Sequence, residues 1–212
     1  MSREPIQIAG FQLYKSWLDR PAQEAMVAEV REIARAAPFN RYVTPGGREM
    51  RVRMTSAGAY GWLSDRGGYR YTAEHPSGVA WPPIPQSILA VWAGVAPDAR
   101  APESCLVNYY DQQAKMSLHR DDTEGDFSQP VVSISLGDPA LFRIGGLERG
   151  GRTQSVDLES GDVLVMGGAA RLRYHGVDRI KFGGSTLLEK GGRLNLTLRV
   201  VTGSREVERK AL

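Results

Sequence analysis

The sequence predicts a mainly β protein of the α+β class. The expected architecture is a double-stranded β-helix, or jelly roll, with two supporting N-terminal helices and a hairpin-and-loop lid. Three observations predict it. From Glu103 onward, short apolar runs alternate with glycine-rich turns at regular spacing, which is the pattern of a sandwich or barrel. Two amphipathic helical stretches come earlier in the chain. Between them lies a segment rich in Gly, Pro, Tyr and Trp that reads as hairpins and loops rather than core.

Taken in order, residues 1–42 form an N-terminal extension and helix. The helix is expected from Pro21 to Ala37, with Met26, Val30, Ile33 and Ala37 at helical spacing, Asp19 as its cap and Pro38 as its stop. Residues 43–85 form the lid, containing Thr44-Pro-Gly-Gly, Ala59-Tyr-Gly-Trp and Gly67-Gly-Tyr-Arg-Tyr. Arg48 to Met54 alternates, with Met50, Val52 and Met54 on one face and Arg51 and Arg53 on the other. Residues 86–201 hold the second helix and the core. That helix runs from Gln86 to Val95, with Ile88, Val91, Trp92 and Val95 as its stripe. The expected strands are Ser104–Tyr110, Val131–Leu136, Ala140–Ile144, Thr153–Leu158, Val163–Met166, Leu172–Val177 and Leu194–Val201. An eight-stranded jelly roll is their natural closure. Residues 202–212 read as a loose tail.

Composition narrows the function classes. The chain has 212 residues, 42% hydrophobic and 24% charged, which suits one globular domain. One cysteine, Cys105, excludes an internal disulfide and a cysteine-rich zinc module. No membrane span or signal peptide is legible, so a cytoplasmic location is expected. A net charge of +3 permits a polyanionic partner without demanding one.

Only three histidines are present. His75, in Glu-His-Pro-Ser-Gly, reads as an ordinary loop residue. His119 and Asp121 lie two apart in Ser-Leu-His-Arg-Asp, so on a strand they project from the same face. His175 sits in Leu172-Arg-Tyr-His-Gly-Val. A jelly roll can bring two distant strands together across its mouth. His119, Asp121 and His175 would then form the two-histidine, one-carboxylate face of a non-haem Fe(II) site. Zinc would accept the same ligands with a water, so the triad alone does not separate an oxygenase from a hydrolase.

The last strand separates them. Leu194, Leu196, Leu198 and Val200 share one face, and Arg193, Asn195, Thr197 and Arg199 share the other. Two arginines bracketing an amide and a hydroxyl suit a small dianion, because guanidinium binds carboxylate bidentately. A metal triad beside a dicarboxylate wall points to 2-oxoglutarate.

Leu118-His-Arg-Asp, Leu172-Arg-Tyr-His-Gly-Val and Arg193-Leu-Asn-Leu-Thr-Leu-Arg, in this order, resemble the AlkB-type Fe(II)/2-oxoglutarate dioxygenases. Upstream, Val43-Thr-Pro-Gly-Gly, Gly61-Trp62 and Gly68-Tyr69-Arg-Tyr71 resemble the family's nucleotide-recognition lid. Asn108-Tyr-Tyr110 and Val132-Ser-Ile-Ser-Leu-Gly resemble the intervening strands. The resemblance covers about residues 38–201. It implies that His119, Asp121 and His175 bind iron. It implies that Arg199 pairs with the distal carboxylate of 2-oxoglutarate, helped by Tyr110, while Asn108, Arg193 and Asn195, with Thr197 on the same face, line the co-substrate pocket.

The resemblance further implies that Trp62 stacks on a flipped base while Tyr69 and Arg149 contact the nucleotide. The implied reaction removes an N-alkyl group from a base such as 1-methyladenine or 3-methylcytosine in DNA or RNA. It consumes O2 and 2-oxoglutarate and releases an aldehyde. The target base must be flipped or single-stranded to be reached. Two positions depart from the pattern. Thr123 stands where an acidic residue often contacts the base, and Arg48 stands where an aromatic would suit the lid. Both bear on base preference. The competing expectations are a related dioxygenase acting on RNA, nucleotides or protein, and a metal-binding jelly roll without turnover. The expected working unit is a monomer.

Overall fold

The computed structural model describes residues 4–203. In chain order its elements are β1 (Ile6–Ile8), β2 (Phe11–Tyr14), α1 (Arg20–Ala36), β3 (Arg53–Gly58), β4 (Gly61–Asp65), β5 (Gly68–Thr72), α2 (Gln86–Val95), β6 (Ser104–Tyr110), β7 (Met116–His119), β8 (Val131–Gly137), β9 (Ala140–Ile144), β10 (Gln154–Leu158), β11 (Val163–Met166), β12 (His175–Ile180) and β13 (Arg193–Arg199).

Both helices form where their periodicity places them. The Asp19 carboxylate accepts the Ala22 N–H at 2.9 Å and Pro21 occupies the first turn of α1, so an otherwise orphaned donor is satisfied. Met26, Val27, Val30 and Ile33 are buried on one face. In α2 the whole expected stripe of Ile88, Val91, Trp92 and Val95 is buried.

Strands β6 to β13 divide into two antiparallel sets, β11-β8-β13-β6 and β10-β9-β12-β7. Four strands in each sheet complete the eight-stranded jelly roll. The larger sheet has helices on one face and the smaller sheet on the other. Val132, Ile134 and Leu136 of β8 pack in the helix-facing core, while Val131 packs in the core between the sheets. With both faces covered, every residue of β8 is buried, and the strand reads as a continuous run rather than an alternation.

The structure departs from the expected elements in five places, the first being the short strand β7, which lies between two expected strands. A short hairpin, β1–β2, extends the larger sheet beside β11. Its turn holds Ala9 and Gly10 at φ 50° and 85°, and its strands are too short to show a period. Segment 43–85 is not all lid, because β3 pairs with β6 in the larger sheet and buries Met54 and Ala57. The Arg48–Met54 alternation survives as burial, with Val52 and Met54 inside and Arg51 and Arg53 outside, although the ladder begins only at Arg53. Strand β12 starts at His175, three residues later than expected, because Gly168–Ala170 forms a 3-10 turn first. Thr202 is buried and holds Glu103, so the tail is anchored at its start; residues 204–212 lie outside the described residues.

The part of the expected lid that stands apart from the larger sheet is the β4–β5 hairpin with its flanking loops. Trp81 lies across Gly61, where a Cβ would stand 2.1 Å from the indole. Glycine is required for that approach. The Trp81 indole N–H donates to the Thr72 carbonyl at 2.9 Å. His75 is not an ordinary loop residue: it is buried edge-on to Trp81. Its Nδ1 accepts the Ser77 N–H, and its Nε2 lies 3.0 Å from the Pro38 carbonyl. It therefore ties the lid's return arm to the exit of α1. No helix among the described residues is long and apolar enough to cross a membrane.

Candidate active site

Strand β12 pairs with β7 so that His175 lies directly opposite His119. The two rings are 4.6 Å apart. Each Nδ1 sits on a carbonyl two residues earlier, Ser117 at 2.9 Å and Arg173 at 3.0 Å. A carbonyl only accepts, so Nδ1 carries the proton and each Nε2 keeps its lone pair for a metal. Asp121 lies beyond the end of β7 rather than on the strand. Even so, the ligand atoms of His119, Asp121 and His175 all lie within 4.8 Å of one another.

The protonation states suit metal binding. Burial, followed by the charge of His119, pushes His175 down to about 4. It is therefore neutral at physiological pH. Burial alone would raise Asp121, but the Arg199 guanidinium and the two histidines hold it far below the usual carboxylate range. The Asp121 Oδ2 accepts from Arg199 Nη2 at 2.9 Å, leaving Oδ1 toward the histidines. Phe142 stacks on His175 at 5.7 Å and Phe11 meets it edge-on at 6.3 Å.

A cavity of about 450 Å³ opens onto the triad. Its floor includes Asn108, Tyr110, Asn195, Thr197 and Arg199, and its mouth includes Trp62, Tyr69, Thr123 and Arg149. The floor is one polar surface because register aligns it. Asn195 of β13 faces Asn108 of β6 and Ser135 of β8.

Residues 10–199 match the model of the 2OG-Fe(II) oxygenase superfamily. An alpha-ketoglutarate-dependent dioxygenase AlkB homolog from Caulobacter vibrioides is 48% identical over 94% of this chain and 91% of its own length. The chain belongs to the AlkB-type 2OG-Fe(II) oxygenases. A protein named DNA N(6)-methyladenine demethylase ALKBH1D, from Arabidopsis thaliana, is 40% identical over 47% of this chain and 25% of its own. The solved structure of OsALKBH1 superposes with a TM-score of 0.75 at 30% identity, covering 92% of this chain and 99% of that one.

As a member of this family the protein is an enzyme that uses Fe(II), 2-oxoglutarate and O2. Its residues fit those groups. The triad supplies two imidazole nitrogens and one carboxylate oxygen, the donor set that a facial Fe(II) site needs. On the polar wall Asn108 Oδ1, Arg193 Nε and Arg199 Nη1 are buried without a hydrogen-bond partner. Buried polar atoms are rarely left so, and in the cavity a dicarboxylate would meet Asn108 and Arg199.

The two arginines differ in their surroundings. Arg199 is engaged by Asp121 and approaches Glu124 at 3.4 Å. Arg193 is 1% exposed and forms no ion pair among the described residues. It donates to Ser135 Oγ at 2.7 Å and to the Leu158 carbonyl at 3.4 Å, and burial lowers it to about 10. It is not among the residues that line the cavity, and the charges of Tyr110 and Asp162 reach it.

At the mouth, Tyr69 is 48% exposed and stacks on Trp62 with centroids 5.6 Å apart. Trp62 also meets Tyr42 edge-on at 6.1 Å. One face of Trp62 is thus already covered. Thr123 and Arg149 are exposed at the rim. Arg48 and Arg51 join them there, whereas Arg53 packs over the Tyr109 ring at 4.6 Å.

Sequence reasoning missed a buried charge cluster beneath the triad. Arg171 donates to the Asp121 carbonyl at 2.6 Å, the Gln129 carbonyl at 2.9 Å and Glu124 Oε2 at 2.9 Å. Tyr71, from the lid, donates to Glu124 Oε1 at 2.5 Å. These residues come from three separate stretches of chain, so no spacing could have revealed them.

Proposed function

We propose that this dioxygenase removes alkyl groups oxidatively from N-alkylated nucleobases of the 1-methyladenine and 3-methylcytosine kind. Its substrate is single-stranded or flipped-base DNA. The observation that carries this reading is a stacked aromatic pair, Trp62 and Tyr69, on a hairpin at the mouth of the cavity whose floor holds the triad. Aromatic faces stack on any base, and a cationic methylated base adds a cation–π attraction. Exposed Arg48, Arg51, Lys115, Arg120 and Arg149 around that mouth suit a phosphate backbone. The enzyme acts as a monomer in the cytoplasm.

His119, Asp121 and His175 hold the iron. When Fe(II), 2-oxoglutarate and O2 are bound there, the chemistry supplied is hydroxylation of the N-alkyl carbon, with succinate, CO2 and an aldehyde as products. The two imidazoles bind through Nε2, and their Nδ1 bonds fix that orientation. Arg199 already spends donors on a metal ligand, so it would hold the carboxylate of 2-oxoglutarate beside that ligand rather than the distal one that resemblance implies. Arg193, a buried cation with no ion pair among the described residues, would serve the distal carboxylate together with Tyr110 and Asn195. A buried charge without a partner is costly, which supports that direction.

Trp62 stacks on the base, Tyr69 and Arg149 hold the nucleotide, and the Thr123 hydroxyl meets the base edge. The test is formaldehyde release across methylated DNA and RNA oligomers, with succinate counted in parallel. Matched formaldehyde and succinate on methylated DNA is the expected result. Succinate without formaldehyde from any nucleic acid would sink the substrate assignment.

A further inference from the structure

Asp121 has a weak local foundation. It lies past the end of β7, so no ladder fixes it. Two arginines hold it instead: Arg199 takes its carboxylate and Arg171 takes its backbone carbonyl. Both arginines meet Glu124, at 2.9 Å from Arg171 and 3.4 Å from Arg199. The side chain of Glu124 is 1% exposed, and those of the two arginines are 3% and 7% exposed. Asp121 and Glu124 thus balance Arg171 and Arg199 in a closed space. Removing the Glu124 charge would leave two buried guanidiniums sharing one carboxylate, a costly arrangement. Glu124 Oε1, the oxygen that Arg199 approaches, also accepts the hydroxyl of Tyr71, which projects from β5 of the lid.

We infer that Glu124 is a positioning residue with two tasks: through Arg171 and Arg199 it holds Asp121 toward the metal, and through Tyr71 it latches the lid to that same loop. The latch makes the lid's seating and the orientation of the Arg199 guanidinium parts of one hydrogen-bonded unit. A closed lid therefore accompanies a metal loop set for turnover. With the lid detached, oxidation of 2-oxoglutarate proceeds with no substrate held in place. The positioning task stands on the metal site alone; the latch task rests on the nucleobase reading for its turnover readout only.

Two variants separate the tasks. Tyr71→Phe removes one hydroxyl and leaves the charge cluster whole. Glu124→Gln keeps the shape and removes the charge. The binding probe is Mn(II), titrated calorimetrically into the apoprotein. Losing support of this kind behind a metal ligand weakens affinity by about 10- to 100-fold, and Glu124→Gln should show that loss. Tyr71→Phe should leave Mn(II) affinity at the wild-type value. It should also speed hydrogen exchange of the β5 amides by about ten- to a hundredfold, the worth of one hydrogen bond to a charged group. Its succinate-to-formaldehyde ratio on methylated oligomers should rise above that of the wild type. A merely structural role would lower both products together and leave that ratio unchanged.

Wild-type Mn(II) affinity in Glu124→Gln would overturn the positioning task. Wild-type exchange and ratio in Tyr71→Phe would overturn the latch. Should Glu124→Gln fail to fold, Arg171→Lys, which keeps the charge and loses the fork, tests the same support through the same titration. A wild-type enzyme that releases no formaldehyde defeats the substrate assignment, while the exchange and Mn(II) results still decide this one.

Discussion

Arg193 and Arg199 stand on the same face of one strand and meet opposite surroundings. Arg199 has Asp121, Glu124 and Tyr71 around it, and although burial pulls it down, those groups raise its pKa above the ordinary arginine value. Arg193 has hydroxyl and carbonyl partners and, among the described residues, no ion pair, although the charge of Asp162 reaches it. Replacing Arg193 with Met should therefore cost co-substrate affinity alone. A charged pair lost from a closed site is worth about 2–5 kcal/mol, or at least about 30-fold in Kd at 1.4 kcal/mol per decade. Arg199→Met should weaken both 2-oxoglutarate and Mn(II), because Asp121 loses its partner. Asp121→Ala should abolish turnover. Calorimetric titration of Mn(II), then of 2-oxoglutarate into the Mn(II) form, separates the two arginines. Equal losses of Mn(II) affinity in both arginine variants would refute this division of labour.

At the scale of elements, the hairpin β4–β5 carries the substrate reading. Trp62 is half-buried, with one face against Tyr69 and its edge toward Tyr42. Stacking on one base is worth about 1–3 kcal/mol, so Trp62→Ala should raise the apparent KM for a methylated oligomer about ten- to a hundredfold. Oxidation of 2-oxoglutarate without nucleic acid should change little. Unaltered kinetics on the oligomer would mean that this hairpin does not read the base.

The helices and the strands from Ser104 onward, except the short β7, were legible in the sequence because each depends on local period; of the triad, His119 and Asp121 were legible from their spacing and His175 from there being only three histidines. The one-sided polarity of β13 was legible too, but not that its polar face points inward under a second sheet. The hairpin at Phe11–Tyr14 was missed because its strands are only a few residues long. The roles of His75, Glu124 and Arg171 were missed because each is defined by contacts across the fold. Glu124 meets Tyr71 53 positions away and Arg171 47 positions away.

For the whole molecule, the register of β13 decides whether there is an active site at all. A slip of one residue would turn Arg193, Asn195, Thr197 and Arg199 into the helix-facing core and bring leucines to the metal. Pairing with β6 and β8 over seven positions each opposes that slip, and a clamp closes its end. Glu103, just before β6, accepts the Val201 and Thr202 N–H groups and the Thr202 hydroxyl, each at 2.7 Å. Arg100 donates to the Thr202 carbonyl and hydroxyl at 3.0 Å. Burial would raise Glu103, yet the three donated hydrogen bonds and Arg100 lower its pKa below the ordinary glutamate value. A carboxylate lowered on folding stabilises the protein above its unfolded pKa, near 4.3, and loses that contribution as pH falls through the folded value. Glu103→Gln should cost about 1.5–3 kcal/mol at neutral pH, the worth of hydrogen bonds to a charged group. For a chain of this size that is a fall in Tm of about 3–10 °C. The deficit should shrink below pH 4, where the wild-type carboxyl also takes up its proton. Thermal unfolding of both proteins between pH 3 and 8 measures it. A deficit that stays constant across that range would show that the charge of Glu103 does not lock the end of β13.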